Sequence, residues 1–167
     1  MASSPISEQE LAELRRAVRG DGVRPGLAGI LPRLQRTHRQ EIRREERWSK
    51  EELVRHPEPR QLIRAMRKAG NLDEMGRPLY TLDERRFVTA DIRENRFVRW
   101  VVDDVRERLE GLSPYEPEAR DLLVELERAI ARAPFLAEVG PHDRRDHEPT
   151  PALTKDPLYR AIMTIAP

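Results

Sequence analysis

Residues 91–111 read Asp-Ile-Arg-Glu-Asn-Arg-Phe-Val-Arg-Trp-Val-Val-Asp-Asp-Val-Arg-Glu-Arg-Leu-Glu-Gly. Val98, Val101, Val102, Val105 and Leu109 fall at i, i+3, i+4, i+7 and i+11, which is one stripe of an α-helix. Asp91 followed by Glu94 suits a helix start, and Gly111 suits a stop. Four valines lower intrinsic helix propensity, so the pattern makes sense only if the stripe is buried. Asp103, Asp104 and Glu107 interleave with Arg99, Arg106 and Arg108, as on an exposed, ion-paired face.

Similar signals lie on either side. Ser7 with Glu10 opens a helix carrying Leu11, Leu14, Ala17 and Val18, closed by Gly20 and Asp21-Gly22. Arg24 to Leu34 is apolar but punctuated by Pro25, Gly26, Gly29 and Pro32, and reads as irregular chain or short helix. Arg33 to Trp48 has high helix propensity over a thin stripe of Leu34, His38 and Ile42. Ser49 and Glu52 start a short helix through Arg55. Arg60 to Ala69 is a further helix with Leu62, Ile63 and Met66 inward and Gly70 as its C-terminal cap. Met75-Gly76-Arg77-Pro78 is a turn, and Leu79 to Val88 is ambiguous. Pro117 to Arg132 carries Leu122, Leu123, Leu126, Ala129 and Ile130 inward, and Pro134 ends it. His142 to Pro151 is a loop, and Thr154 opens a last short helix with Pro157 in its first turn. The expected fold is therefore all-α. It is a multi-helix bundle with at most one short extended segment near 79–88. Residues 1–48 form N-terminal helices and residues 49–167 the rest of the bundle, one domain overall.

Composition agrees with a folded, polar-surfaced chain. The 167 residues carry 37% charged side chains and a net charge of +1. With no cysteine, disulfides and thiolate metal sites are excluded. With 8 Gly and 14 Pro, the chain does not read as a strand-rich barrel. No apolar run approaches a membrane span and Met1 to Glu10 has no secretory apolar region, so the expected location is cytoplasmic.

Charge is uneven. Between Arg24 and Lys68 there are 13 Lys/Arg against 6 Asp/Glu, a local balance of +7. Arg33, Arg36, Arg39, Arg43, Arg44 and Arg47 step by three or four, so on one helix several would share a face. That face is the candidate nucleic-acid surface, suited to phosphate without sequence preference. The alternative is a solvated helix paired with Glu41, Glu45 and Glu46, or docked on an acidic surface.

Catalytic patterns are missing. There is no phosphate-binding G-x-x-x-x-G-K-[ST] or G-x-G-x-x-G run and no G-x-S-x-G elbow. His142 and His147 bracket Asp143 and Asp146, but no helix or strand fixes them, so a solvated loop is the expectation. No D…E-x-K constellation is present for a two-metal nuclease. The expectation is no catalytic residue, no metal, no cofactor and no enzymatic activity on this chain.

Asp91 to Trp100 resembles the E-N-R-F-[VL]-[KR] signature that opens a long helix in McrC-like restriction nuclease subunits, ahead of their PD-(D/E)XK nuclease part. Ala133 to Gly140 is similar to the P-F-L-x-x-V run, and Ala152 to Arg160 to the V-L-x-K-x-P-x-Y-R run, of the same region in the same order. The resemblance implies association with DNA restriction or phage defence, and it places no nuclease centre here. Its matched residues are Glu94, Asn95, Arg96, Phe97, Lys155, Pro157, Tyr159 and Arg160, for which fold-holding roles are expected. The leading functional expectation is a non-catalytic helical module of such a subunit, acting beside non-specific DNA and protein partner subunits. The alternative is a small stand-alone helical adaptor or inhibitor with no nucleic-acid role.

Overall fold

The computed structural model describes residues 8–54, 58–142 and 149–166. Seven α-helices and two strands appear among them: α1 (Glu8–Arg19), α2 (Leu27–Thr37), β1 (Glu41–Lys50), α3 (Pro59–Arg67), β2 (Tyr80–Thr89), α4 (Arg93–Leu112), α5 (Pro117–Ala131), α6 (Pro151–Lys155) and α7 (Pro157–Met163). β1 and β2 pair as a two-stranded antiparallel sheet. The all-α expectation is thus corrected to a mixed α/β chain. By contact density the chain divides into two compact units, Met1–Glu41 with Ala90–Pro167, and Ile42–Thr89. The junction expected after residue 48 falls inside β1.

The helical unit is built on the Val stripe. Val98, Val101, Val102, Val105 and Leu109 are all buried on α4. At roughly 1.5–3 kcal/mol for each fully buried aliphatic side chain, the stripe easily outweighs the propensity cost of its valines. α5 packs against α1, α2 and α4, while α7 packs against α2 and α4. The buried Leu122 and Leu126 of α5 sit in this core with Leu14 and Val18 of α1. Ion pairs stitch the outer faces, including Arg15 with Glu118 at 2.5 Å and Arg106 with Glu127 at 2.7 Å.

α2 is a regular helix where punctuation suggested irregular chain. Pro32 inside it removes one backbone donor, a cost of about 3 kcal/mol. Leu27, Ile30, Leu31 and Leu34 are all fully buried, and their burial outweighs that loss. The turn before α2 needs its glycines. A Cβ on Gly20, which has φ +90°, would lie 2.1 Å from the Arg24 carbonyl oxygen, and one on Gly26 would lie 2.4 Å from that of Val18. Asp21 fixes this turn by accepting the Val23 and Arg24 backbone N–H groups, which hold its carboxyl below the usual range.

Two expected helix starts fall elsewhere. Asp91 does not cap α4. Its carboxylate instead accepts two bonds from Arg96 and one from the Gly140 N–H. Thr150 caps α6 and Asp156 caps α7, so the last segment is two short helices and not one beginning at Thr154. Ser7 and Arg55, named in other expected starts and stops, lie outside the described residues.

The second unit is the antiparallel pair of β1 and β2, joined through α3, which packs on β2. A short 3₁₀ turn over Glu51–Leu53 stands where a helix from Ser49 was expected. Asp73 shapes the turn into β2, its carboxylate accepting the Met75 and Arg77 N–H groups. The ambiguous segment from Leu79 resolves as the ten-residue strand β2. α3 forms where expected but presents a different face. Gln61 and Ala65 are buried, while Ile63 and Met66 are about half exposed. Gln61 is held in by a capping box with Glu58. The small Ala65 lets the helix approach closely, and the buried Asn71 side chain donates to its carbonyl at 2.9 Å.

Candidate functional site

The six arginines expected on one helix, several of them sharing a face, are split among three settings. Arg33 and Arg36 lie on α2, Arg39 in the connector, and Arg43, Arg44 and Arg47 on β1. A strand alternates faces every residue, so Arg43 and Arg47 point one way and Arg44 the other. Arg44 is 3.5 Å from Glu84 on the neighbouring strand. Glu45 and Glu46 stand among these cations, and Glu46 bonds Arg64 at 2.8 Å. The single basic helix face is overturned. Its sequence has the composition of a solvated helix, but strand pairing with β2 imposes the extended form.

Two residues of the family-like motif, Asn95 and Tyr159, meet in one buried knot. Asn95, fully buried on α4, donates from Nδ2 to the carbonyl oxygens of Arg39 at 2.9 Å and Ala90 at 2.7 Å. Its Oδ1 accepts the Tyr159 hydroxyl at 2.6 Å, and that hydroxyl accepts the Arg39 N–H at 3.1 Å. Arg39 and Ala90 flank the segment Ile42–Thr89. One amide side chain therefore ties both ends of that insertion together. Burial pushes the Tyr159 phenol up to about 12, which keeps it a neutral donor.

Around the knot, Arg96 makes a two-pronged pair with Asp91, both contacts at 2.7 Å. Glu94 accepts the Thr150 hydroxyl at 2.7 Å. Phe97 packs its ring against Trp100 and His142. Pro157 sits in the first turn of α7, and Lys155 and Arg160 are exposed. So Glu94, Asn95, Arg96, Phe97 and Tyr159 are joined by contacts within the helical unit, whereas Lys155 and Arg160 face solvent.

Among the described residues no group of three His, Asp or Glu side chains could hold a metal. His38 stacks on Phe135 with ring centroids 4.5 Å apart, and His142 stacks on Trp100. Asp143, Asp146 and His147 of the loop weighed as a metal site lie outside the described residues. An open depression of about 500 Å³ is lined by Glu13, Arg16, Asp21, Arg24 and Arg108, a set of mixed and largely mutually compensating charge.

The most distinctive surface belongs to the inserted unit. Among the described residues, fourteen large hydrophobic side chains stay exposed, and eleven of these lie within Ile42–Thr89. They include Ile63 and Met66 on α3, Ile42 on β1, and Phe87 and Val88 on β2. Against them, among its described residues, the same segment buries only Ala65 and Leu82 as aliphatic or aromatic hydrophobics. Sequence reasoning missed this surface because the strong apolar period of α3 was read as its inward face. The inward polar residues Gln61 and Asn71 were missed as well. Only the Glu58-to-Gln61 spacing could have flagged the first, and no sequence signal flags the second.

The model of the family described as Domain of unknown function (DUF2357) matches residues 4–148. No curated protein matches the chain. No solved structure matches it. Among the described residues no helix is long and apolar enough to cross a membrane.

Proposed function

We propose that this chain, a member of the DUF2357 family, is a non-catalytic docking module: a helical scaffold that presents an inserted β–α unit to a protein partner. The observation that carries the reading is the eleven exposed hydrophobics of residues 42–89 set against two buried ones. Exposed apolar side chains concentrated in one small folded unit point to an interaction surface. A lone two-stranded sheet with one short helix is also marginal in water, so a covering partner supplies burial that the unit lacks. The knot of Asn95 and Tyr159 suits this role, because it clamps both ends of the presented segment.

The setting we propose is a restriction or phage-defence assembly, with catalysis on another subunit. Its support is the order and spacing of the McrC-like motifs between Asp91 and Arg160. A second reading keeps Arg43, Arg44 and Arg47 as non-specific phosphate contacts. It is favoured by the exposure of Arg44 and Arg47 on β1, and weakened by the intervening Glu45 and Glu46.

The test compares the tagged chain with a variant in which residues 42–89 are replaced by a short Gly-Ser linker. Both are recovered from the native cell after mild cross-linking. The intact chain should retain a stoichiometric protein partner and the excised one should lose it, while both keep a cooperative helical melt. Equal capture by the two would overturn the docking role of the insertion. For the second reading, fluorescence anisotropy with a labelled duplex should show steeply salt-dependent binding that Arg43→Glu, Arg44→Glu and Arg47→Glu together remove. Absence of binding at low salt would end it.

A further inference from the structure

α3 presents a sharper pattern than exposure alone. Leu62, Ile63 and Met66 lie on one arc of the helix, with Pro59 in line at its start. Ile63 and Met66 are 49% and 54% exposed, and Leu62 is half-buried at the edge of the arc. Gln61 and Ala65, on a different arc, make the contact with the rest of the unit. The most apolar face of this helix is therefore not the face its own unit covers.

One flank of the ridge is cationic. Arg60 and Arg67, seven residues apart, lie on the same side of the helix beside Ile63, which is i+3 from the first and i−4 from the second. Both are exposed. Other cations nearby are engaged: Arg64 bonds Glu46 at 2.8 Å, and the Lys68 ammonium sits 4.0 Å over the Trp48 ring. Among the described residues neither Arg60 nor Arg67 has an ion-pair partner. Two unpaired guanidiniums about 10.5 Å apart along a helix, at a rise of 1.5 Å per residue, thus border an uncovered aliphatic ridge. Arginine at such a spacing suits carboxylates two helical turns apart.

We infer that the α3 ridge receives an amphipathic helical segment of a partner protein, with its apolar face on Leu62, Ile63 and Met66 and acidic side chains against Arg60 and Arg67. This deepens the docking role proposed above and rests on it. The charge is one-sided, because the opposite flank is the covered Gln61–Ala65 face. A helix lying on an anionic bilayer carries cations on both flanks of its apolar stripe, and this one does not. Aliphatic side chains also give nucleic-acid bases no aromatic platform to stack on. A partner helix laid alongside α3 meets both the ridge and the single charged flank, and packs by ridges into grooves.

The probe is a labelled helical peptide of about 18 residues, long enough to hold a helix. It carries a Leu/Ile stripe and two Glu seven residues apart on one flank. A second peptide has Lys in place of the two Glu. With the full chain, the acidic peptide should bind and the basic one should not. Ile63→Asp with Met66→Asp should weaken the acidic peptide about tenfold or more. Arg60→Glu with Arg67→Glu should also weaken it and should gain the basic peptide, with circular dichroism unchanged in both variants. Failure of the acidic peptide to bind, or equal binding of both peptides, overturns the assignment. So does ridge-dependent binding to anionic phosphatidylglycerol vesicles or to a DNA duplex in place of the peptide. If the peptides fail while excision of residues 42–89 still abolishes partner capture, the docking role stands and this chemistry falls. If the intact chain captures no partner at all, the docking role itself falls.

Discussion

Tyr159 is the residue on which the two ends of the insertion depend. Its hydroxyl donates a hydrogen bond to Asn95 Oδ1 and accepts one from the Arg39 N–H. Tyr159→Phe leaves the buried Asn95 oxygen and the part-buried Arg39 N–H short of a partner. Such orphaned groups cost about 1–3 kcal/mol, and for a chain of this size each kcal/mol lowers Tm by about 2–4 °C. The phenol also makes stability depend on alkaline pH. In the folded chain it titrates at about 12, above the ordinary tyrosine value near 10. The unfolded chain therefore releases its proton first as pH rises. This contribution is fully present below about pH 10 and is lost as pH climbs through about 12. Urea melts at pH 8 and pH 11 should show a fall in stability for the wild type that Tyr159→Phe reduces. An identical fall in both would mean that the hydroxyl is solvated and the knot does not exist. In the sequence, Asn95 and Tyr159 were legible as fold-holding positions of a motif. Their common target was not, because the Arg39 and Ala90 backbone groups carry no side-chain signal.

At the scale of the element, α3 and α4 make a matched pair. Both have clean helical periods, yet only α4 buries its stripe. Val102 is 2% exposed, and Val102→Asp puts an unpaired carboxylate in the core at a cost of several kcal/mol. The variant should lose its cooperative melt or fail to accumulate as soluble protein. Ile63→Asp with Met66→Asp should change the melting temperature by only a degree or two, since surface substitutions usually stay within ±0.5 kcal/mol. A collapse of the α3 double variant would show that its ridge is core.

The contrast explains which elements the sequence disclosed. Periodicity reports that a helix has an apolar face, and it is silent on what covers that face. α2 was obscured because Pro32 and the glycines before it look like breakers, although four buried side chains override them. β1 was read as helix because Arg and Glu favour helices in isolation, with only Ile42 and Trp48 as strand formers. Pairing with β2 is a tertiary fact, and it moved the fold from all-α to mixed α/β and scattered the expected basic face.

Across the whole molecule, the two units differ in how much they bury. Among the described residues, the helical unit carries every buried aliphatic or aromatic hydrophobic side chain except Ala65 and Leu82. Amide protection follows the free energy of local opening, which scales with such burial. In hydrogen exchange read by mass spectrometry, β1, β2 and α3 should therefore exchange well before α4 and α5. Partner binding should slow the inserted segment and leave α4 and α5 unchanged. Uniform protection across both units would mean that the insertion is as well packed as its scaffold and has no need of a cover.

The most direct measurement places a photo-activated cross-linker in the native cell at Ile63 or Met66 in the insertion, and at Tyr115 or Val124, two exposed positions of the helical unit. Illumination should give one protein adduct of the same mass from both insertion positions and none from the two controls. No adduct from Ile63 or Met66, or the same adducts from all four positions, would contradict the claim that this chain works by presenting its inserted unit to a protein partner.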